Sequence, residues 1–140
     1  MFDLILVSHG SLSKAMMETV QLIAGQQEGL KAYGLNLGDD VEAFGADVTA
    51  GIEESLKHGD VLVLTDLQSG SPYNVTVGAM GTHKIRHFTG MNLPMVLEAL
   101  CDRQSMNIEG TCTELAAKSR KAILDVNQYL ETLEGDSDDE

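Results

Sequence analysis

Phe2-Asp3-Leu4-Ile5-Leu6-Val7-Ser8-His9-Gly10-Ser11 is an apolar run that stops abruptly at Ser8-His9-Gly10. A helical spacing of apolar residues opens directly after it, at Met16, Met17, Val20 and Ile23. Strand, tight turn and helix make the opening unit of an open α/β sheet, and such sheets place their chemistry at the carboxyl ends of the strands. Gly10 permits the turn. His9 stands at that carboxyl end, where a neutral imidazole is a nucleophile at physiological pH. Its placement points to attack on a phosphoryl group.

The same alternation continues outward from this unit. A helix over 13–24 ends at Gly25, and a short strand over 30–35 is closed by Gly38-Asp39. Asp39 or Asp40 then caps a helix over 41–57 with apolar positions at Val41, Phe44, Val48, Ile52 and Leu56. Val61-Leu62-Val63-Leu64 is the most continuously apolar strand, a pattern suited to a parallel strand covered on both faces. Thr65-Asp66-Leu67-Gln68-Ser69-Gly70 follows, and Ser71 is expected to cap a helix over 72–82 with Pro72 at its first position. A strand over 84–90 leads through Met91-Asn92-Leu93-Pro94 into a helix ending near Arg103. Residues 105–110 read as a loop, and 111–133 as mostly helix with β-compatible patches.

This order predicts a three-layer α/β fold: one domain over 1–134, built on a parallel sheet with right-handed crossovers. With strand order 2-1-3-4, strands 1 and 3 are neighbours whose connections leave in opposite directions. Ligands bind in the crevice at such a switch point. The two segments ending there are those of His9 and Asp66.

Composition narrows the function. The chain has 140 residues, 43% hydrophobic and 22% charged, which describes a soluble globular domain with no stretch long enough to span a membrane. Met1-Phe2-Asp3 lacks the basic region of a signal peptide, and Cys101 and Cys112 are too few for a disulfide framework, so a cytoplasmic protein is expected. Net charge is -13, and removing the six acids of the last ten residues still leaves about -7. Nothing in such a chain neutralises a phosphate backbone, which excludes nucleic acid and favours a positively charged protein partner. Residues 135–140 are expected to form an acidic, disordered tail.

A histidine that accepts a phosphoryl group needs one ring nitrogen held and the other free. Asp66, on the neighbouring strand, can take the Nδ1 proton and leave Nε2 as nucleophile, while steadying the positive charge that grows on the ring. The phosphoryl oxygens need donors. Gly70 and Ser71 lead into a helix N-terminus with free backbone N–H groups, and the amides of Gly10 and Ser11 can serve likewise at the first helix. His58 and His83 lie at helix ends and His87 within a strand, and none is given a role. No cluster has metal-ligand spacing, and no cofactor is implied.

Three segments carry a resemblance to a known family: Leu4-Ile5-Leu6-Val7-Ser8-His9-Gly10, Leu64-Thr65-Asp66-Leu67-Gln68-Ser69-Gly70-Ser71-Pro72-Tyr73-Asn74, and Gly90-Met91-Asn92-Leu93-Pro94-Met95. In order and spacing the chain resembles, to about Leu133, the IIA component of the mannose-type sugar phosphotransferase system. The resemblance implies that His9 accepts a phosphoryl group from the phosphohistidine of HPr and passes it to a IIB component. IIB then phosphorylates sugar entering through membrane permease components. It implies Asp66 as the partner of His9 and Ser71 as a phosphate contact. It also implies a homodimer in which an antiparallel C-terminal strand, supplied here by residues 121–126, is exchanged between subunits. Leu67-Gln68-Ser69 departs from the family, whose members often carry an aromatic residue and a glycine there.

Other readings are weighed against this one. The phosphocarrier subunit of a dihydroxyacetone kinase shares the fold and the N-terminal histidine, but Gly10 and Asn92-Leu93-Pro94 favour the sugar system. A phosphatase or mutase needs arginines to clamp its substrate, and Arg86, Arg103 and Arg120 are not expected near the crevice. A non-catalytic flavodoxin-like binding or regulatory module is a further alternative, but no dinucleotide fingerprint supports it, and a bound flavin would colour the purified protein.

Overall fold

A β-strand turns successive side chains to opposite faces, and β1 (Asp3–His9) uses both. In the computed structural model, which describes residues 1–138, Leu4 and Leu6 enter one core while Ile5 and Val7 enter another, all four fully buried. β3 (Val61–Thr65) divides in the same way, Leu62 and Leu64 to the first core and Val61 and Val63 to the second. β2 (Leu30–Leu35) and β4 (Arg86–Phe88) flank this pair in an all-parallel sheet of order β2-β1-β3-β4. The expected order and direction are both observed. The two most apolar runs occupy the centre because only central strands are covered on every side.

Helices form the outer layers. α1 (Leu12–Ala24), α4 (Leu93–Asp102) and α5 (Ile108–Lys121) bring Val20, Val96, Leu100 and Leu115 to the first core. α2 (Val41–Leu56) and α3 (Ser71–Met80) bring Phe44, Val48, Ile52 and Ala79 to the second. Asx caps start three of them: Asp40 accepts from the Glu42 N–H at 3.1 Å, Asn92 from Met95 at 3.0 Å, and Asn107 from Gly110 at 2.8 Å. The last bond corrects the loop expected over 105–110. Gly110 argues against a helix, but Asn107 satisfies its amide, and α5 begins at Ile108.

The C-terminal segment also differs from expectation. α5 ends at Lys121, a short connection covers 122–125, and α6 (Val126–Asp138) follows. The single chain forms no fifth strand among the described residues, and β4 has a ladder partner on one side only. Val126, Tyr129, Leu130 and Leu133 make an exposed apolar stripe at helical spacing on α6. The tail boundary expected at 135 falls inside α6, which runs on to Asp138; residues 139 and 140 lie outside the described residues.

Candidate functional site

β1 and β3 are hydrogen-bonded neighbours with Val7 opposite Thr65, so the residues that end them emerge side by side at the carboxyl edge of the sheet. There Asp66 Oδ2 accepts two hydrogen bonds from one residue: the His9 main-chain N–H at 2.9 Å and His9 Nδ1 at 2.9 Å. The other oxygen, Oδ1, accepts the Leu67 N–H at 2.9 Å. A ring nitrogen that faces a carboxylate carries the proton, which leaves the Nε2 lone pair free. The His9 side chain is 46% exposed and that of Asp66 only 10%. The carboxylate is therefore sheltered while the imidazole remains open to a second molecule. Burial alone would raise the Asp66 pKa; the hydrogen bonds from the main chain and ring of His9 and from Leu67 outweigh it, and the net shift is downward. This group is ionised at neutral pH. Its depressed pKa stabilises the folded state above the ordinary aspartate value, and that contribution is lost as pH falls through the lowered folded value.

His9 Nε2 faces Gly70. The glycine has φ 87° and ψ -179°, a conformation that essentially only glycine adopts, and a Cβ placed on it would lie 2.7 Å from Nε2 and 2.9 Å from Cε1. The missing side chain thus leaves the nucleophilic nitrogen uncovered. On the expectation that His9 accepts a phosphoryl group, Gly70→Ala should slow that uptake about fiftyfold, through both the occupied space and the strained backbone. Rapid-quench labelling checks this, and an unchanged rate in a folded variant would show that the space beside Nε2 is not needed.

Gly70, rather than Ser71, is the cap residue of α3; its carbonyl accepts the Asn74 N–H at 2.9 Å. Ser71 is half-buried at the first helical position, next to the glycine that faces Nε2. A helix start of this kind presents unpaired N–H groups and the positive end of a dipole. At the first helix the expected donors fare differently. The Gly10 N–H is already given to the Leu35 carbonyl at 2.7 Å, one rung beyond the β1–β2 ladder, so this amide is not available to a phosphate. Ser11 is exposed at the start of α1 and its hydroxyl makes no capping bond. Buried Ser8 takes that task instead, accepting the Ser13 N–H at 2.8 Å.

The remaining candidates are dispersed. His58 lies 3.6 Å from Glu54, and His83 uses both ring nitrogens, on Ala79 O at 3.1 Å and Glu53 at 3.2 Å. Arg103 is almost fully buried at the amino end of the sheet, donating to the carbonyls of Phe2, Glu28 and Gly29. Arg86 pairs with Glu109 at 2.9 Å, whereas Arg120 lines a groove of about 690 Å³ together with Gln68, two residues beyond Asp66. His87, unassigned in the sequence, places Nε2 2.7 Å from the hydroxyl of Thr65, the residue before Asp66. The signal available was parallel pairing that sets His87 beside Val63, on the face that Thr65 also uses. Among the described residues no three His, Cys, Asp or Glu side chains are grouped to hold a metal ion, and no helix is long and apolar enough to cross a membrane.

The chain is similar in sequence and fold to known proteins. Residues 3–116 fit the EIIA-man family model, described as PTS system fructose IIA component. The PTS system sorbose-specific EIIA component of Klebsiella pneumoniae is 30% identical over 138 residues, covering 96% of this chain and 98% of that protein. A PTS IIA protein associated with the fucose utilization operon of Streptococcus pneumoniae superposes with a TM-score of 0.82 at 26% identity, covering 92% of this chain and 97% of that one. The mannose/sorbose-specific IIA subunit of Enterococcus faecalis gives a TM-score of 0.77 at 29% identity, covering 88% and 92%.

Proposed function

The chain belongs to the mannose-type EIIA family of the sugar phosphotransferase system, and from that premise we propose that it is a cytoplasmic phosphocarrier with His9 as its phosphorylated residue. The observation that supports this reading is the half-exposed imidazole whose Nδ1 is held by Asp66 and whose Nε2 lies beside Gly70, a residue with no side chain to cover it. Nε2 attacks the phosphorus of phospho-HPr; the donor's P–N bond breaks as the His9 P–N bond forms. The Nδ1 proton stays against Asp66, whose negative charge offsets the cation growing on the ring. Ser71 and the first turn of α3 offer donors to the phosphoryl oxygens. The reverse step delivers the group to a IIB component, and sugar entering through the permease is the final acceptor. The acidic body supports a partner with a basic face. Phosphoenolpyruvate, enzyme I and HPr should together add one phosphoryl group to the chain by intact mass, and IIB should then remove it. A chain that takes up no label under these conditions is not a phosphocarrier of this system.

We also propose that it works as a homodimer with an exchanged antiparallel strand. Among the described residues β4 has a free edge, the groove beside it is lined by Val77, Met80 and Ile123, and the apolar stripe of α6 is exposed. A segment over 121–126 from a second copy would pair with that edge and bring α6 onto its neighbour. Sedimentation at micromolar concentration should give a dimer that deletion from Ile123 onward weakens and deletion from Gly135 onward does not. A monomeric full-length chain would remove the exchange.

A further inference from the structure

We propose that His87 is a positioning residue for phosphoryl transfer, holding the segments on both sides of the 67–69 loop in the arrangement that His9 requires. This inference rests on the reading of His9 as the phosphoryl acceptor. Thr65, fully buried at the end of β3, is covalently joined to Asp66. Its carbonyl accepts the Met91 N–H at 3.0 Å and its hydroxyl lies 2.7 Å from His87 Nε2, so carbonyl and hydroxyl alike are tied to the strand and turn next door. The His87 ring also meets Tyr73, with centroids 5.6 Å apart and planes tilted by 45°. Tyr73 lies in the first turn of α3, two residues beyond Ser71. One ring therefore touches the stretch that carries Asp66 and the stretch that carries Gly70 and Ser71.

What lies between those stretches makes the contact matter. Leu67, Gln68 and Ser69 are exposed, and the one hydrogen bond recorded for them among the described residues runs from the Leu67 N–H back to Asp66. The separation of Asp66 from Gly70 is thus not held from within the loop. It is held from behind, by packing and by the Thr65–His87 bond. An apolar pair of the same shape would fill this space without orphaning a buried hydroxyl. The hydrogen-bonded pair adds a fixed direction between β3 and β4. Burial lowers the His87 pKa, so the ring is neutral at neutral pH and can accept the Thr65 hydroxyl proton.

His87→Phe, Thr65→Val and the double variant, each in the full-length chain, separate positioning from mere packing. Phosphoryl uptake from phospho-HPr should slow roughly ten- to a hundredfold in His87→Phe, the scale of loss that misplacement by an ångström causes, with the final stoichiometry still one per chain. Thr65→Val should slow to a similar degree, and the double variant should be no slower than either, because both changes break one bond. His87→Gln, which sets an amide near the position of Nε2, should recover most of the rate. The ring ¹⁵N spectrum of His9 should lose its single Nδ1–H tautomer in His87→Phe, a change that lost stability alone would not produce. If the single variants do not fold, the double variant carries the test, since it leaves no buried polar atom orphaned: slow uptake supports the proposal and a wild-type rate overturns it. A folded His87→Phe with wild-type uptake and an unchanged His9 tautomer also overturns it. A wild-type chain that takes up no label would instead remove the phosphocarrier reading on which the inference rests.

Discussion

His9→Ala should gain no mass with phosphoenolpyruvate, enzyme I and HPr, where the wild-type chain should gain one phosphoryl group. The expected loss is complete because no other histidine combines an Nδ1 within hydrogen-bond distance of a carboxylate with an exposed ring at the carboxyl end of the central strands. His83 has both ring nitrogens engaged, on Ala79 and Glu53. His87 is half-buried, with Nε2 on Thr65. His58 lies two residues beyond α2, exposed near Met1 and Asp60 at the amino end of the sheet, with its Nε2 3.6 Å from Glu54, outside hydrogen-bond distance. Variants at His58, His83 and His87 should each still reach one phosphoryl group per chain. The linkage should be labile in acid and survive alkali, as a phosphoramidate does and a serine ester does not. Label that persists in His9→Ala, or that resists acid, would remove His9 from the reaction.

Asp66→Asn should keep the fold and slow phosphoryl uptake on the order of a thousandfold. The hydrogen bonds dictate this more firmly than the charge does. Main-chain N–H groups of His9 and Leu67 point at opposite oxygens of the carboxylate, so both positions need an acceptor. An asparagine has one oxygen. With that oxygen toward Leu67, the amide N–H₂ meets the His9 N–H and donates to Nδ1, driving the ring proton to Nε2 and blocking attack. With the oxygen toward His9, two donors collide at Leu67 and the loop that carries Gly70 shifts. The corresponding replacement beside the histidine of serine proteases lowers turnover about 10⁴-fold through the wrong tautomer. Ring ¹⁵N shifts of His9 distinguish the two arrangements, and single-turnover uptake measures the cost. A variant that is phosphorylated at the wild-type rate would take Asp66 out of the mechanism.

Much of this was legible in the residues, for reasons that differ from place to place. Leu4 to Val7 and Val61 to Leu64 read as central parallel strands because they are apolar on both faces, and a strand's face is set by parity alone. Once those strands are adjacent, His9 and Asp66 have to meet. Local bonds were harder to read. The Gly10 amide belongs to Leu35 through a ladder that runs one rung further than the apolar run suggests, and Ser8 caps α1 although Ser11 stands nearer its start. Asn107 opens α5 against the evidence of Gly110. His87 looked idle because its partner, Thr65, is 22 residues away in the chain. Periodicity anticipated a helical C-terminus but not its interruption at 122–125, where Ile123 and Leu124 are exposed and no local bond says what should cover them.

The shortness of β4 has a colloidal consequence. Three residues of free edge offer another chain only a brief ladder, too little for indiscriminate stacking into fibres or amorphous precipitate. Any lasting attachment there must also match the side chains beside the edge, so the edge selects its visitor instead of welcoming every extended peptide. Arg86 strengthens the filter, since its charge sits on the strand itself and penalises a greasy intruder. At the β4 end of the sheet, shortness and charge together guard this acidic protein against indiscriminate association; the opposite edge is formed by β2, a strand of six residues.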